Sequence, residues 1–269
     1  MSHSTQERGR IILAQVYEKG RVTVKELAAE MDVSDATVRR DLKALAGDHQ
    51  VELVYGGAAL PRTRDYSFRS KGMRNVEAKR TVGRLAAELV ANDEQILIDS
   101  GTTCFQMAHW IKARRNLSVI ANSARLALEL DGPGLHVVML GGQYRPDRMD
   151  TVGPLATAAL EQLRGYVAFL SADGLSMEFG LAASDIESAH LFRLAVRNAR
   201  KAILLADHSK FLAPSLYKIV EFAAISQVVT DRPPLPEWID FFESLGIDVI
   251  CPDASAGQES PPEAQPTGS

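Results

Sequence analysis

The sequence predicts an α/β protein in two parts: an N-terminal winged helix-turn-helix over residues 1–60, then a larger α/β domain over residues 76–254 built on a mostly parallel sheet. Three observations carry this. Residues 6–60 read as three short helices with their own start and stop signals, followed by a hairpin broken at Gly56-Gly57. From Val76 onward, helical patterns alternate with the β-branched runs QILID, LSVIA, HVVML, VAFLS, AILLA, QVVT and IDVIC, a rhythm that calls for βα units and helices covering a sheet. The charge is also divided. Residues 1–75 hold 13 Lys and Arg against 10 Asp and Glu, and the remainder 17 against 24, so a polyanion would meet the head rather than the body.

At 269 residues and 46% hydrophobic, the chain can bury a substantial core in one or two domains. Cys104 and Cys251 give neither a disulfide framework nor a common metal spacing, and His109, His136, His190 and His208 lack the H-E-x-x-H pattern. No metal or cofactor is therefore expected. The opening MSHSTQERGR carries no signal-peptide pattern, and no apolar run approaches the roughly 18 residues of a membrane span, so a cytoplasmic protein is expected.

Taken in order, the first helix, QERGRIILAQVYEKG, puts Ile12 and Val16 on one face and stops at Gly20, a natural left-handed terminator. Thr23 opens the second, with Glu26 completing a capping box and Leu27 and Met31 on its buried side. The stretch SDATVRRDL begins the third. Ser34 is its N-cap, its hydroxyl accepting from the amide of Thr37 or its neighbour, and Val33 and Val38 occupy the staple positions. At 100° per residue Val38, Leu42 and Leu45 form one stripe, while Ala36, Arg39, Arg40 and Lys43 lie opposite. Asp41 is expected to point back into the bundle, towards a basic group or a helix end. The outward face is either a solvated charge run or a reader of double-stranded DNA. A helix entering the major groove leads with its N-terminus, small residues there allow close approach, and arginines pair with guanine edges or phosphates. The capped helices, tight turn and Gly-Gly hairpin around it favour DNA. In the wing, VELVYGGAA, Glu52 repels phosphate, leaving Arg62 and Arg64 beyond it to compensate. Residues 61–75 are polar and aperiodic and read as a linker; residues 255–269, rich in Ser, Gly, Pro, Gln and Glu, read as a disordered tail.

In the body, ILIDSGTTCFQMAHWI is a strand, a small hydroxylated loop and a helix. Ser100, Gly101, Thr102 and Thr103 there suit a phosphate cradle or plain capping, and Asp99 either accepts from sugar hydroxyls or orders the loop. Other strand ends offer Asn122, Gly141-Gly142, Asp173-Gly174, and Asp207 with Ser209 and Lys210, the lysine being a flexible point charge suited to phosphate. All fall at the carboxyl ends of strands, where ligands of open α/β sheets bind.

The stretch GRVTVKELAAEMDVSDATVRRDLKAL, with YGGAAL after it, resembles the N-terminal signature of the DeoR family of bacterial transcriptional regulators. The body, from about Glu77 to Asp231, resembles that family's effector domain through D-S-G-T-T, N-S, L-G-G, G-L and D-H-S-K-F. The resemblance implies a fold related to ribose-5-phosphate isomerase and operator contacts from Ser34, Thr37, Arg39, Arg40 and Lys43. It also implies a phosphorylated sugar as effector and a repressor of sugar-metabolism genes acting as a dimer or tetramer, since paired heads gain avidity. Phe192, Ala121 and Asp173 depart from the usual lysine, threonine and small residue, which implies an altered pocket. The competing expectation is a sugar-phosphate isomerase with a DNA-binding head. Such an enzyme needs a base beside a carbonyl and an acid. Asp99, Asp173 and Asp207 have the chemistry, but the isomerases' D-G-A-D-E and K-x-G-G-G motifs are missing, so no catalytic residue is assigned.

Overall fold

A computed structural model describes residues 5–47, 51–59, 68–212 and 215–252; Arg62, Arg64 and the 255–269 tail lie outside these. The head comprises α1 (Thr5–Lys19), β1 (Arg21–Thr23), α2 (Val24–Met31), α3 (Asp35–Gly47), β2 (Glu52–Val54) and β3 (Gly57–Ala59). Gly20 ends α1 at φ 72°, in the left-handed region that glycine enters without a Cβ penalty. The Thr23–Glu26 capping box starts α2, and left-handed Asp32 closes it by donating its amide to the Ala28 carbonyl. Ile12, Val16, Leu27 and Val38 are fully buried and close a core between the helices.

The wing is a three-stranded antiparallel sheet, β1-β3-β2, rather than the two-stranded hairpin read from the sequence. Arg21-Val22-Thr23 is too short to display a period-2 pattern, so its pairing with Gly57–Ala59 was invisible. Gly57 permits it: a Cβ there would lie 1.9 Å from the Val22 carbonyl oxygen.

The body opens with α4 (Phe68–Gly72) and α5 (Val76–Glu88). Of the 61–75 stretch expected as a linker, residues 61–67 lie outside the described residues, and the structure departs from the expectation at 68–72. Residues 68–72 are helical, Phe68 donates its amide to the Asp147 carbonyl, and its ring meets Phe105 edge to face. Those contacts come from elsewhere in the chain, so the local pattern gives no hint of them.

All of the β-branched runs become strands of one parallel sheet: β4 (Gln95–Ile98), β5 (Leu117–Ala121), β6 (Leu135–Met139), β9 (Val167–Ser171), β12 (Lys201–Leu205), β14 (Gln227–Val229) and β15 (Asp248–Ile250), in the order β15-β14-β12-β9-β4-β5-β6. Ile96 and Ile98 of β4 join a core on one face and Leu97 a core on the other, which is why these strands are apolar on both sides. Helices α6 (Ala108–Ile111), α7 (Ala124–Glu129), α8 (Pro154–Glu161), α9 (Ile186–Asn198) and α10 (Pro236–Ser244) accompany the sheet. Trp238, Phe241 and Phe242 of α10 pack with Phe211 and Phe222, each buried large side chain contributing roughly 1.5–3 kcal/mol. Two small antiparallel ribbons stand beyond the strand ends: β7 (Gln143–Arg145) with β8 (Asp150–Val152), and β10 (Gly174–Ser176) with β11 (Gly180–Ala183) and β13 (Tyr217–Val220).

Candidate functional site

Two surfaces carry the residues singled out above. On α3, the Thr37 amide donates to the Ser34 hydroxyl at 3.2 Å, and the two hydroxyls share a hydrogen bond of 2.9 Å. This fixes the helix start and leaves Ser34 and Ala36 exposed and Thr37 half-buried. Arg39, Arg40 and Lys43 are exposed, and Arg39 meets Asp35 only at 3.8 Å with both side chains more than half in solvent. Asp41 turns the other way. It is buried and accepts two hydrogen bonds from Arg8 of α1, Nε at 2.6 Å and Nη2 at 3.2 Å. A bidentate arginine–carboxylate pair of this kind fixes direction as well as distance, and so sets how α3 sits on α1. Sequence reasoning missed Arg21, which donates from Nη2 to the Tyr55 carbonyl at 3.0 Å and steadies the wing turn, where the Tyr55 ring is fully exposed. Arg21 lies in the three-residue strand that carried no pattern.

The second surface is an open cleft at the carboxyl ends of the central strands. Ser100, Gly101, Thr102, Thr103, Asp173 and Lys210 line it, joined by Phe68, Lys71, Arg148, Asp150, Ser171, Ala172 and Ala183. The 100–103 loop is shaped from beneath by Asp99. One Asp99 oxygen accepts from the Gly101 amide at 2.8 Å, and the other from the Ser171 amide and hydroxyl at 2.5 and 2.9 Å. Asp99 is buried, and burial pushes its carboxyl above the ordinary range. Of the two roles open to Asp99, the structure gives the ordering of the loop. Gly101 packs so closely that a Cβ would fall 1.9 Å from the Ser171 hydroxyl. Beyond the loop, Cys104–Met107 is a 3-10 turn and α6 has four residues, so the single helix suggested by the sequence is broken. An aligned helix dipole is correspondingly small there, and what the cleft offers instead is hydroxyls and cations.

The cations come from three segments. Lys71 of α4 donates to Asp173 Oδ1 at 2.5 Å. Arg148 pairs with Asp185, which also accepts from Arg145 at 2.8 Å. Lys210 lies close enough to Asp173 and Asp207 that its charge lowers the pKa of both. Burial works to raise the Asp173 carboxyl, yet the Lys71 and Lys210 charges, with the Ser184 amide, carry it well below the usual carboxylate range. Lys71 itself is lowered, by burial first, with Asp173 opposing. Behind it Lys79 donates to the Lys71 carbonyl at 2.5 Å; burial, and secondly the Lys210 charge, push it down to about 8.

The other residues expected at the effector site stand outside the lining. Asn122 is buried and donates to the Thr151 carbonyl at 3.0 Å, tying strand ends together. Asp207, fully buried, accepts from Asn75 at 3.0 Å and from the Ser209 hydroxyl at 2.5 Å. Gly142 lies against β8, where a Cβ would be 2.5 Å from the Val152 carbonyl oxygen; Gly141 is exposed, and Gly174 is paired with Ala182 in β10. Phe192 and Ala121, the departures expected to alter the pocket, are core residues outside the lining, whereas Asp173 is within it. Lys71 and Arg148 were missed because both lie off the strand ends, in a segment read as linker and in the turn between β7 and β8. Among the described residues no group of three potential ligands could hold a metal, and no helix is long and apolar enough to cross a membrane.

The family model of a DeoR-like helix-turn-helix domain matches residues 8–64, and that of the DeoR C-terminal sensor domain matches residues 74–232. The HTH-type transcriptional regulator GolR of Listeria innocua is 30% identical over 90% of this chain and 97% of its own length. The HTH-type transcriptional repressor GlcR of Bacillus subtilis is 30% identical over 94% and 99%. The glycerol-3-phosphate regulon repressor of Escherichia coli is 28% identical over 85% and 91%. Among solved structures, ribose 5-phosphate isomerase A of Methanocaldococcus jannaschii matches at a TM-score of 0.38 and 18% identity, over 51% of this chain and 54% of that one.

Proposed function

This chain belongs to the DeoR family of transcriptional regulators, and from that premise we propose that it represses sugar-metabolism genes in the cytoplasm and is controlled by a phosphorylated sugar bound in the cleft. The observation that carries this reading is the pairing of an outward cationic helix in the head with a hydroxyl- and cation-lined cleft in the body. Ser34, Ala36, Thr37, Arg39, Arg40 and Lys43 would meet operator DNA, helped by Arg21 and Tyr55 at the wing. Ser100–Thr103, Lys71, Arg148 and Lys210 would hold the phosphate, with Asp173 beside them for a sugar hydroxyl. Asp99, Asn122, Asp207 and the glycines act one layer back, by positioning the lining. In this division the sensor begins at Phe68, not at Val76, and the heads work as a dimer or tetramer on paired half-sites.

The arrangement disfavours the isomerase reading. A base for proton abstraction works best near the operating pH, and the Asp173 carboxyl, which among the described lining residues is the aspartate not paired with Arg145, lies well below it. Effector and operator affinities must be linked, each ligand changing the other's binding by the same factor. The test is fluorescence anisotropy on the gene's own upstream DNA, with and without a panel of pentose and hexose phosphates. A salt-sensitive, sequence-selective complex that one of these sugars weakens supports the reading. Absence of any such complex removes it, and turnover of a sugar phosphate would revive the enzyme.

A further inference from the structure

We propose that the Asp173 carboxylate is an internal competitor of the effector: on Lys71 it occupies the place that the anionic group of a sugar phosphate would take. This rests on the effector reading of the cleft. Lys71 and Asp173 both line the cleft, are 2.5 Å apart, and are 23% and 18% exposed, so an incoming ligand can reach the pair. Both halves are held from outside the pair. Asp173 is fixed on the ribbon of β10 and β11, its amide donating to the Ala182 carbonyl and its Oδ2 accepting from the Ser184 amide, both at 2.8 Å. Lys71 rides on the five-residue α4, which is tied down by the Lys79 bond to its carbonyl and by the Phe68 contacts.

The other lining carboxylate differs. Asp150 is matched by Arg145 behind the wall, with bonds of 2.8 and 2.7 Å, so an effector leaves that pair intact. Asp173 takes its counter-charge from the lining itself. A phosphate that claims Lys71 therefore takes the hydrogen-bonded cation from a partly buried carboxylate and leaves it the Lys210 charge and the Ser184 amide, which is costly unless the ligand supplies a replacement donor. A sugar phosphate brings carbon-bound hydroxyls set apart from its phosphate for that purpose, whereas inorganic phosphate has only the P–OH of the same group that Lys71 holds. The pair thus selects polyhydroxylated monophosphates by penalising bare anions, a repulsive element of specificity. Displacement also frees Lys71 from the ribbon, which changes how α4, the first described segment after the head, is held.

Calorimetry on the full chain tests this with inorganic phosphate and a hexose 6-phosphate as probes, on the wild type, Asp173→Asn, Lys71→Met and the double variant. Asp173→Asn should bind inorganic phosphate about tenfold tighter or more, with a smaller gain for the sugar phosphate. In the Lys71→Met background the same change should gain less than about threefold, because the competition is for Lys71. Equal gains in the two backgrounds, or none in either, overturn the competitor while leaving the site. Failure of all four proteins to bind either probe overturns the effector reading and the proposal together. Asp173→Ser, which keeps an acceptor for the Ser184 amide, repeats the measurement should the asparagine variant melt below the assay temperature.

Discussion

On α3 the cations stand in solvent with little to restrain them: Arg39 is 65% exposed and its nearest carboxylate is 3.8 Å away. In the cleft Lys71 and Arg148 are 23% and 17% exposed, and each is matched by a carboxylate at hydrogen-bond distance. The two surfaces share a charge sign and divide its use. Loosely held surface cations give a diffuse field that a long polyanion meets through counterion release, at the cost of salt sensitivity. Cations held by partly buried counter-charges are preorganised, are screened less by salt, and discriminate among small ligands by what displacement costs. A head without that restraint suits a partner of many phosphates, and a body with it suits a partner of one.

The sharpest way to break this comparison is to strip the head. Arg39→Ala/Arg40→Ala should weaken operator binding by roughly a thousandfold, on the order of 4 kcal/mol, and leave effector affinity in the isolated protein unchanged. Anisotropy across a salt series would check it, and a loss that is independent of salt would place the arginines in packing instead.

Next in size is Lys79, the buried cation behind the cleft. Its folded pKa, about 8, lies below its ordinary 10.5, so the folded state binds fewer protons between those values and stability rises with pH there. The penalty for the buried charge is present in full below about pH 8 and lifts towards pH 10.5. The unfolding free energy from urea melts, wild type minus Lys79→Met, should therefore climb by about 3 kcal/mol across that window. A flat difference would mean that the ammonium is solvated.

Gly101→Ala probes the loop alone. The added carbon cannot coexist with the Ser171 hydroxyl at 1.9 Å, so effector binding should fall about tenfold or more in calorimetry while operator affinity holds. The smallest effect belongs to the wing. Glu52 is exposed on β2, and Glu52→Lys should tighten non-specific DNA binding only a few-fold, steepening the salt slope by about one. No change would show that β2 faces away from the duplex.

What the sequence made legible divides along similar lines. The sheet was readable because strands buried on both faces announce themselves as unbroken β-branched runs, and α3 was readable because Ser34 capping and the Val38–Leu42 stripe are local signals. The cleft was half readable. Ser100–Thr103, Asp173 and Lys210 sit at strand ends, a place that topology marks, whereas Lys71 and Phe68 belong to a segment whose helix is defined by contacts far along the chain, to Asp173 and Phe105. Glycines misled for a related reason. Gly142 is required by its approach to β8, and the same residue type at a strand end reads identically to one that faces a ligand.

The order of strands in the sheet also bears on how the protein comes into being. The head closes its core within residues 5–59, whereas the centre of the body joins β4 to β9, partners separated by about seventy residues of chain. At ribosomal rates near ten residues per second, β9 emerges roughly ten seconds after the wing is complete. A nascent chain therefore carries a head with a closed core before the central strands of the body can pair.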